Sequence, residues 1–161
     1  PDSTEHEGLT HLVRAYLRAF GPGRWSDIAS WAGISITVAQ TGGESLELRR
    51  FRDASGKELV DLPDQPLPDP GTPAPVRFLP HWDANLLVHA RRTGLLPEEF
   101  RPRVFSTKNP FSVGTYLVDG RVAGAWSLRD GRIELDPFIE VSTRIGREIE
   151  REREALEAFH A

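Results

Sequence analysis

Apolar residues at positions 9, 12, 13, 16, 17 and 20 recur every three to four places, the spacing of one helix face. Thr4-Glu5-His6-Glu7 just before them carries the Thr and Glu of a capping box. The pattern predicts an amphipathic helix that stops at Gly21-Pro22-Gly23. Ser26 is then a suitable N-cap for a second helix that turns Ile28, Ala29 and Trp31 inward and ends at Gly33. A third helix is predicted over "GISITVAQTGG". It is a weak one, because Ile36, Thr37, Val38 and Thr41 are β-branched and Gly42-Gly43 closes it.

Beyond it the period changes. "LELRRF" and "KELVDL", joined by Asp53-Ala54-Ser55-Gly56, read as a two-stranded hairpin. Three helices and a hairpin predict a winged helix. Residues 61–76 carry prolines at 63, 66, 68, 70, 73 and 75, which exclude a helix or a central strand and predict a stiff, extended strap. Further on, "FSVGTYLVDGRVAGAWSLRDGRIELDPFIEV" places Asp-Gly at 119–120 and 130–131 between β-rich segments. Asp-Gly accepts the positive φ angles of a type I′ turn, so a meander is predicted. Closing it into a small barrel would remove its exposed edges. Ser142 then caps a last helix in which Ile145, Ile149, Leu156 and Phe159 share a stripe.

The fold class expected is therefore α+β: a winged helix of three helices plus hairpin, followed by a small antiparallel β-barrel and a C-terminal helix. The expected partition is residues 1–62 for the winged helix, 63–76 for the linker, 77–141 for a helix and barrel, and 142–161 for the terminal helix. No internal repeat interrupts this order.

Composition narrows the chemistry. The chain has 161 residues, 39% of them hydrophobic, enough for one large domain or two small ones. No apolar run approaches the ~18 residues that cross a bilayer, and residues 1–7 lack the basic and apolar segments of a signal peptide. The expected compartment is the cytoplasm, with no membrane partner. The absence of cysteine removes disulfides, thiolate-bound zinc and thiol catalysis. There is also no methionine and the chain begins at Pro1, which points to a piece of a longer protein. The net charge of −4 is unevenly spread. Residues 1–76 hold 7 basic and 11 acidic side chains, 77–132 hold 9 and 5, and 133–161 hold 4 and 8. A basic middle of +4 between two −4 flanks can meet a polyanion with one face, or simply be solvated surface.

The stretch "RFLPHWDANLLVHARR" at 77–92 holds the densest set of candidate groups. Pro80 precedes a short helix for which Asp83 stands at the N-cap, and His89 falls three residues after Leu86, on that helix's apolar face. These three are read as structural. His81, Asp83 and His89 do not have a standard metal-ligand spacing, so no metal site is predicted, and no cofactor.

"PAPVRFLPHWDANLLVHARR", "TYLVDGRVAGAWSLRDGRIELDPF" and "AYLRAFGPGRWSDIASWAGIS", in this chain's arrangement, resemble the C-terminal half of the AlkZ-like (YcaQ-like) winged-helix DNA-binding proteins, over roughly residues 9–140. The founding activity of that family is a DNA glycosylase for bulky alkylated bases, including interstrand crosslinks. The resemblance implies tandem winged helices and a β-barrel, double-stranded DNA that is alkylated or crosslinked as partner, and N-terminal winged-helix domains of the same protein as neighbours. The family's Gln-x-Gln or Gln-x-Asp catalytic motif is not matched: Gln40 and Gln65 stand in "VAQTGG" and "PDQPLP". Catalysis, if the full protein has it, is expected outside this chain, and no catalytic residue is assigned within it.

With duplex DNA as partner, Arg91, Arg92 and Lys108, and Arg121, Arg129 and Arg132 around the two tight turns, become candidate phosphate contacts; each could equally remain solvated. The third helix has no Arg or Lys between Ile34 and Gly43, so it is not expected to read base edges. Two other functions fit the same residues: a noncatalytic winged-helix DNA-binding or transcription-associated protein, and a protein-interaction module.

Overall fold

The computed structural model of the chain describes residues 4–88, 93–105 and 112–160. The chain is mixed α+β and divides into two compact units. One comprises the described residues up to Asp69 with Val88; the other comprises Pro70–Leu87 and the described residues from Thr93 onward.

In the first unit α1 spans Glu5–Phe20, α2 Trp25–Ala32 and α3 Ile36–Gly43, followed by the antiparallel pair β1 (Arg49–Arg52) and β2 (Glu58–Asp61). The capping box of α1 forms in both directions: the Glu7 N–H donates to Thr4 Oγ1, and the Thr4 N–H donates to the Glu7 carboxylate at 2.7 Å. Helix α2 begins earlier than the Ser26 cap predicts. Trp25 is its first residue and the Asp27 carboxylate accepts the Arg24 N–H at 3.1 Å, so Ser26 lies inside the first turn. Trp31 is not fully turned inward either: it is 42% exposed, with one edge on Tyr16. Gly33 ends α2 in the left-handed conformation at φ 68°.

Gly42 and Gly43 do more than stop α3. They lie within its last turn, where a Cβ on Gly42 would come 2.8 Å from the Leu9 carbonyl oxygen and one on Gly43 would run into the Trp25 ring. Their missing side chains let α3 approach α1 and Trp25 closely. Ser35 caps α3 by accepting the Val38 N–H. The β1–β2 turn is held by the Asp53 carboxylate, which accepts the Ser55 N–H, the Ser55 hydroxyl and the Lys57 N–H and pairs with Arg24. The Ser55 hydroxyl first, then Arg24, hold that carboxyl well below the usual carboxylate range. No helix or strand occurs between Asp61 and Arg77, where the prolines are concentrated.

The second unit is a four-stranded antiparallel sheet in the order β3 (Arg77–Leu79), β4 (Gly114–Val118), β5 (Arg121–Arg129), β6 (Arg132–Pro137). Short helices α4 (Ala84–Leu87) and α5 (Arg101–Val104) lie between β3 and β4, and α6 (Thr143–His160) follows the sheet. The predicted barrel is corrected: β3 and β6 have no ladder between them, so the described strands form an open sheet. Strand β3 was not predicted; it is three residues long and pairs through Arg77↔Leu117 to Leu79↔Thr115, too short to show a period. One face of the sheet packs Phe78, Tyr116 and Leu135 against Ile145 and Ile149 of α6. Phe159, expected on the same stripe, is 83% exposed: it stands ten residues, roughly 15 Å of helix, beyond Ile149. No helix among the described residues is long and apolar enough to cross a membrane.

Candidate nucleic-acid interface

Both Asp-Gly turns adopt the two positive φ angles of type I′, with Asp119 at 50°, Gly120 at 70°, Asp130 at 50° and Gly131 at 75°. Arg121 follows the first turn and pairs with Val118; Arg129 and Arg132 close the second and pair with each other. The two turns are at opposite ends of β5, about 26 Å apart at the usual rise per residue. The three arginines therefore do not form one patch. Arg129 and Arg132 do: as direct cross-strand partners they share one face of the sheet with Ser127 and Glu134.

Two like charges placed directly opposite destabilise a hairpin by a few tenths of a kcal/mol, up to about 1 kcal/mol. Glu134 opposes this through an ion pair with Arg129 Nε at 3.2 Å, with both side chains largely in water. Arg132 and Arg121 are exposed and make no ion pair among the described residues. Nearby, a cleft of about 280 Å³ is bounded by Val113, Trp126, Ser127, Arg129, Glu134 and Asp136. Arg103 of α5 also belongs to this neighbourhood. It donates to both Asp136 oxygens, at 2.8 and 2.9 Å, and lies 3.8 Å over the Phe138 ring. Nothing in the local sequence points to Arg103, since its partner is 33 residues away.

The stretch after β3 is tied to the beginning of β4. Pro80 follows the last residue of β3. His81 Nδ1 is 2.7 Å from the Ser112 carbonyl oxygen, and the Trp82 N–H donates to the buried Ser112 hydroxyl at 2.7 Å. Trp82 has a φ of 61°, a left-handed conformation that costs a bulky L-residue about 1–2 kcal/mol. Asp83 stands immediately before α4, where its Oδ1 accepts the Asn85 N–H at 2.8 Å and the Asn85 side-chain amide at 2.9 Å. His89, Arg91, Arg92 and Lys108 lie outside the described residues. Among the described residues, no three His, Cys, Asp or Glu side chains gather as metal ligands.

In the first unit α3 presents Ile36 and Val38 to solvent and no cation. The arginines of the neighbouring hairpin are engaged internally: Arg50 with Glu58 at 2.6 Å, Arg52 with the Gly56 carbonyl and Arg49 with Asp61. Gln40 is exposed on α3, while Gln65 follows β2 and its carbonyl accepts Arg49. The two glutamines are not part of one motif.

The family model described as DNA glycosylase AlkZ-like matches residues 1–159. Among solved structures, the DNA glycosylase AlkZ of Streptomyces sahachiroi is similar to this chain with a TM-score of 0.77 at 22% sequence identity. The match covers 94% of this chain and 43% of that one, and at such identity it speaks for the fold. No curated protein matches the chain.

Proposed function

Because the chain belongs to the AlkZ-like DNA glycosylase family, we propose that it is the DNA-holding part of such an enzyme. It engages duplex DNA bearing a bulky alkylated base or a crosslink, in the cytoplasm. Hydrolysis of the N-glycosidic bond depends on protein outside these 161 residues, including further winged-helix domains. The helices α1–α3 with the β1–β2 hairpin support reading the first unit as a winged helix. Its cation-free α3 argues against base reading by that helix.

The observation that carries the proposal is the Arg129–Arg132 pair at a type I′ tip. Glu134 pairs with Arg129 and Asp130 stands in the turn, so the tip carries no net charge, but Arg132 makes no ion pair among the described residues and can turn its guanidinium to a phosphate. Contacts of this kind set register on DNA without reading sequence.

The test is a fluorescence anisotropy titration of the chain with duplex DNA over a range of salt. The double variant Arg129→Ala/Arg132→Ala is expected to bind more weakly and to lower the slope of log affinity against log salt by about 2, near 0.9 for each lost phosphate contact. A slope equal to that of the unsubstituted chain would remove the tip from the interface. No release of base from alkylated duplex by these 161 residues alone is also expected, followed by chromatography of the freed bases. Clear base release would place the catalytic groups inside the chain.

The alternative, a noncatalytic winged-helix DNA-binding or transcription-associated protein, fits the same arrangement, in which Gln40 and Gln65 form no catalytic motif. It predicts the same salt dependence with no base release by the longer protein either.

A further inference from the structure

The side of the sheet that carries the arginine tip holds one more arginine, contributed by α5. Successive residues of a strand point to opposite faces, so β6 turns Leu135 toward α6 and Asp136 to the other side. Asp136 shares that side with Glu134 and Arg132, whose cross-strand partners are Ser127 and Arg129. Arg129, Glu134 and Asp136 also border one cleft. The strand pairing therefore sets Asp136, the partner of Arg103, about 13 Å along β6 from Arg132.

Arg103 is held before any ligand arrives. Its Nη2 alone makes both bonds to the Asp136 carboxylate, at 2.8 and 2.9 Å, and its guanidinium carbon lies 3.8 Å from the centre of the Phe138 ring. One end and one flat face of the guanidinium are thus occupied. The Nε and Nη1 hydrogens have no partner among the described residues, and the side chain is 42% exposed. A guanidinium carries donors on more than one edge, so it can keep a carboxylate on one and take a phosphate on another. Asp136 weakens the field of this cation at a distance but leaves the free donors in place. Because ring and carboxylate already order the side chain, binding takes little further rotamer freedom from it.

We infer that Arg103 is a second phosphate contact for the duplex that Arg132 meets, with Asp136 and Phe138 as its positioning residues. The inference rests on the DNA-holding reading above and extends it from one hairpin tip along a face of the sheet. The separation of about 13 Å corresponds to roughly four base-pair rises of ~3.4 Å. Contacts so spaced would fix the direction of the duplex on the sheet as well as its position.

The experiment is the anisotropy titration of paired duplex over a range of salt, with Arg103→Gln, Arg103→Lys and Arg147→Gln. Gln retains a donor for Asp136 and a flat group beside Phe138 without the charge. Arg103→Gln is expected to lower the slope of log affinity against log salt by about 0.9, so that between about 50 and 200 mM salt it loses about three-fold less affinity than the unsubstituted chain. Arg103→Lys restores the charge and should restore the slope. Arg147 is exposed on α6, which packs on the opposite face; Arg147→Gln changes net charge equally and should leave the slope unchanged. Thermal melting of Arg103→Gln should stay close to that of the unsubstituted chain, since both members of its ion pair are exposed. An unchanged slope in Arg103→Gln with binding intact overturns the contact. So does an equal fall in Arg147→Gln, which would trace the effect to net charge, or in Arg103→Lys, which would trace it to lost structure. Absence of binding by the unsubstituted chain at low salt would instead overturn the DNA-holding function, and this inference with it.

Discussion

Replacing Arg49 by alanine is expected to destabilise the first unit by about 3 kcal/mol, the lower end of what breaking a buried ion pair costs. Asp61 is 1% exposed, at the end of β2, and its carboxylate accepts the Leu62 N–H and lies 3.6 Å from the Arg49 guanidinium. The same guanidinium donates to the Leu62 carbonyl at 3.1 Å and to the Gln65 carbonyl at 2.6 Å. It thus joins β1 to the exit of β2 and supplies the only cation within ion-pair distance of Asp61 among the described residues. Truncation leaves a carboxylate without its counter-ion and two carbonyls to find other donors. The partial exposure of Arg49, 32% of its side chain, lets water replace some of this, which is why the lower end applies. Circular dichroism melting should register a drop on the order of 10 °C for a unit of this size. Removing both charges, as Arg49→Met/Asp61→Asn, should recover a large part of the loss, because no unpaired charge remains buried. A single-variant loss below ~1 kcal/mol, the range of exposed ion pairs, would mean that Asp61 is solvated in solution.

Gly124→Ala is expected to cost the second unit about 2–3 kcal/mol, the upper part of the range for overpacking. Gly124 is the cross-strand partner of Tyr116, whose ring crosses the space a side chain would occupy. A Cβ at Gly124 would fall 2.3 Å from Tyr116 Cζ and Oη, well inside van der Waals contact. The ring has little freedom to retreat, since Tyr116 is buried and stacks on Phe78 with centroids 5.5 Å apart. Burial also pushes the Tyr116 hydroxyl above its ordinary pKa, with the charge of Asp136 adding to the effect and Arg103 opposing it. Urea unfolding followed by tryptophan fluorescence should show the midpoint fall for Gly124→Ala and partly recover in Gly124→Ala/Tyr116→Val, where the ring is gone. Additive losses in the double variant would place the cost in the backbone and not in the ring contact.

The elements read well from the chain wherever their signals are local. Thr4 and Glu7 are three residues apart and cap α1 as their spacing predicts. The Asp-Gly pairs at 119–120 and 130–131 carry their own backbone preference, and both produce type I′ turns. Ser26 failed as a cap because the Asp27 carboxylate, one residue on, satisfies an N–H at Arg24 and moves the helix start forward. Both are short polar residues in a plausible place, and the local sequence does not distinguish them.

The candidate site was legible as a set of residue types and not as an arrangement. Arg121, Arg129 and Arg132 are all beside tight turns in the sequence, yet β5 separates the first from the other two by its whole length. Arg103 escaped because its partner Asp136, 33 residues away, leaves no mark in the neighbouring residues.

By itself, then, the amino-acid order determined where helices begin, where hairpins turn and where prolines forbid both, because those preferences act over two to four residues. Whether the strands close was decided only by tertiary structure. A barrel would require β3 and β6, more than fifty residues apart, to meet; a three-residue β3 paired to β4 leaves the sheet open. Tertiary structure likewise decided that Asp61 is buried against Arg49 and that Gly124 makes room for Tyr116. Each depends on contacts whose formation carries the entropy of closing a loop, and no short run of sequence encodes which loops close.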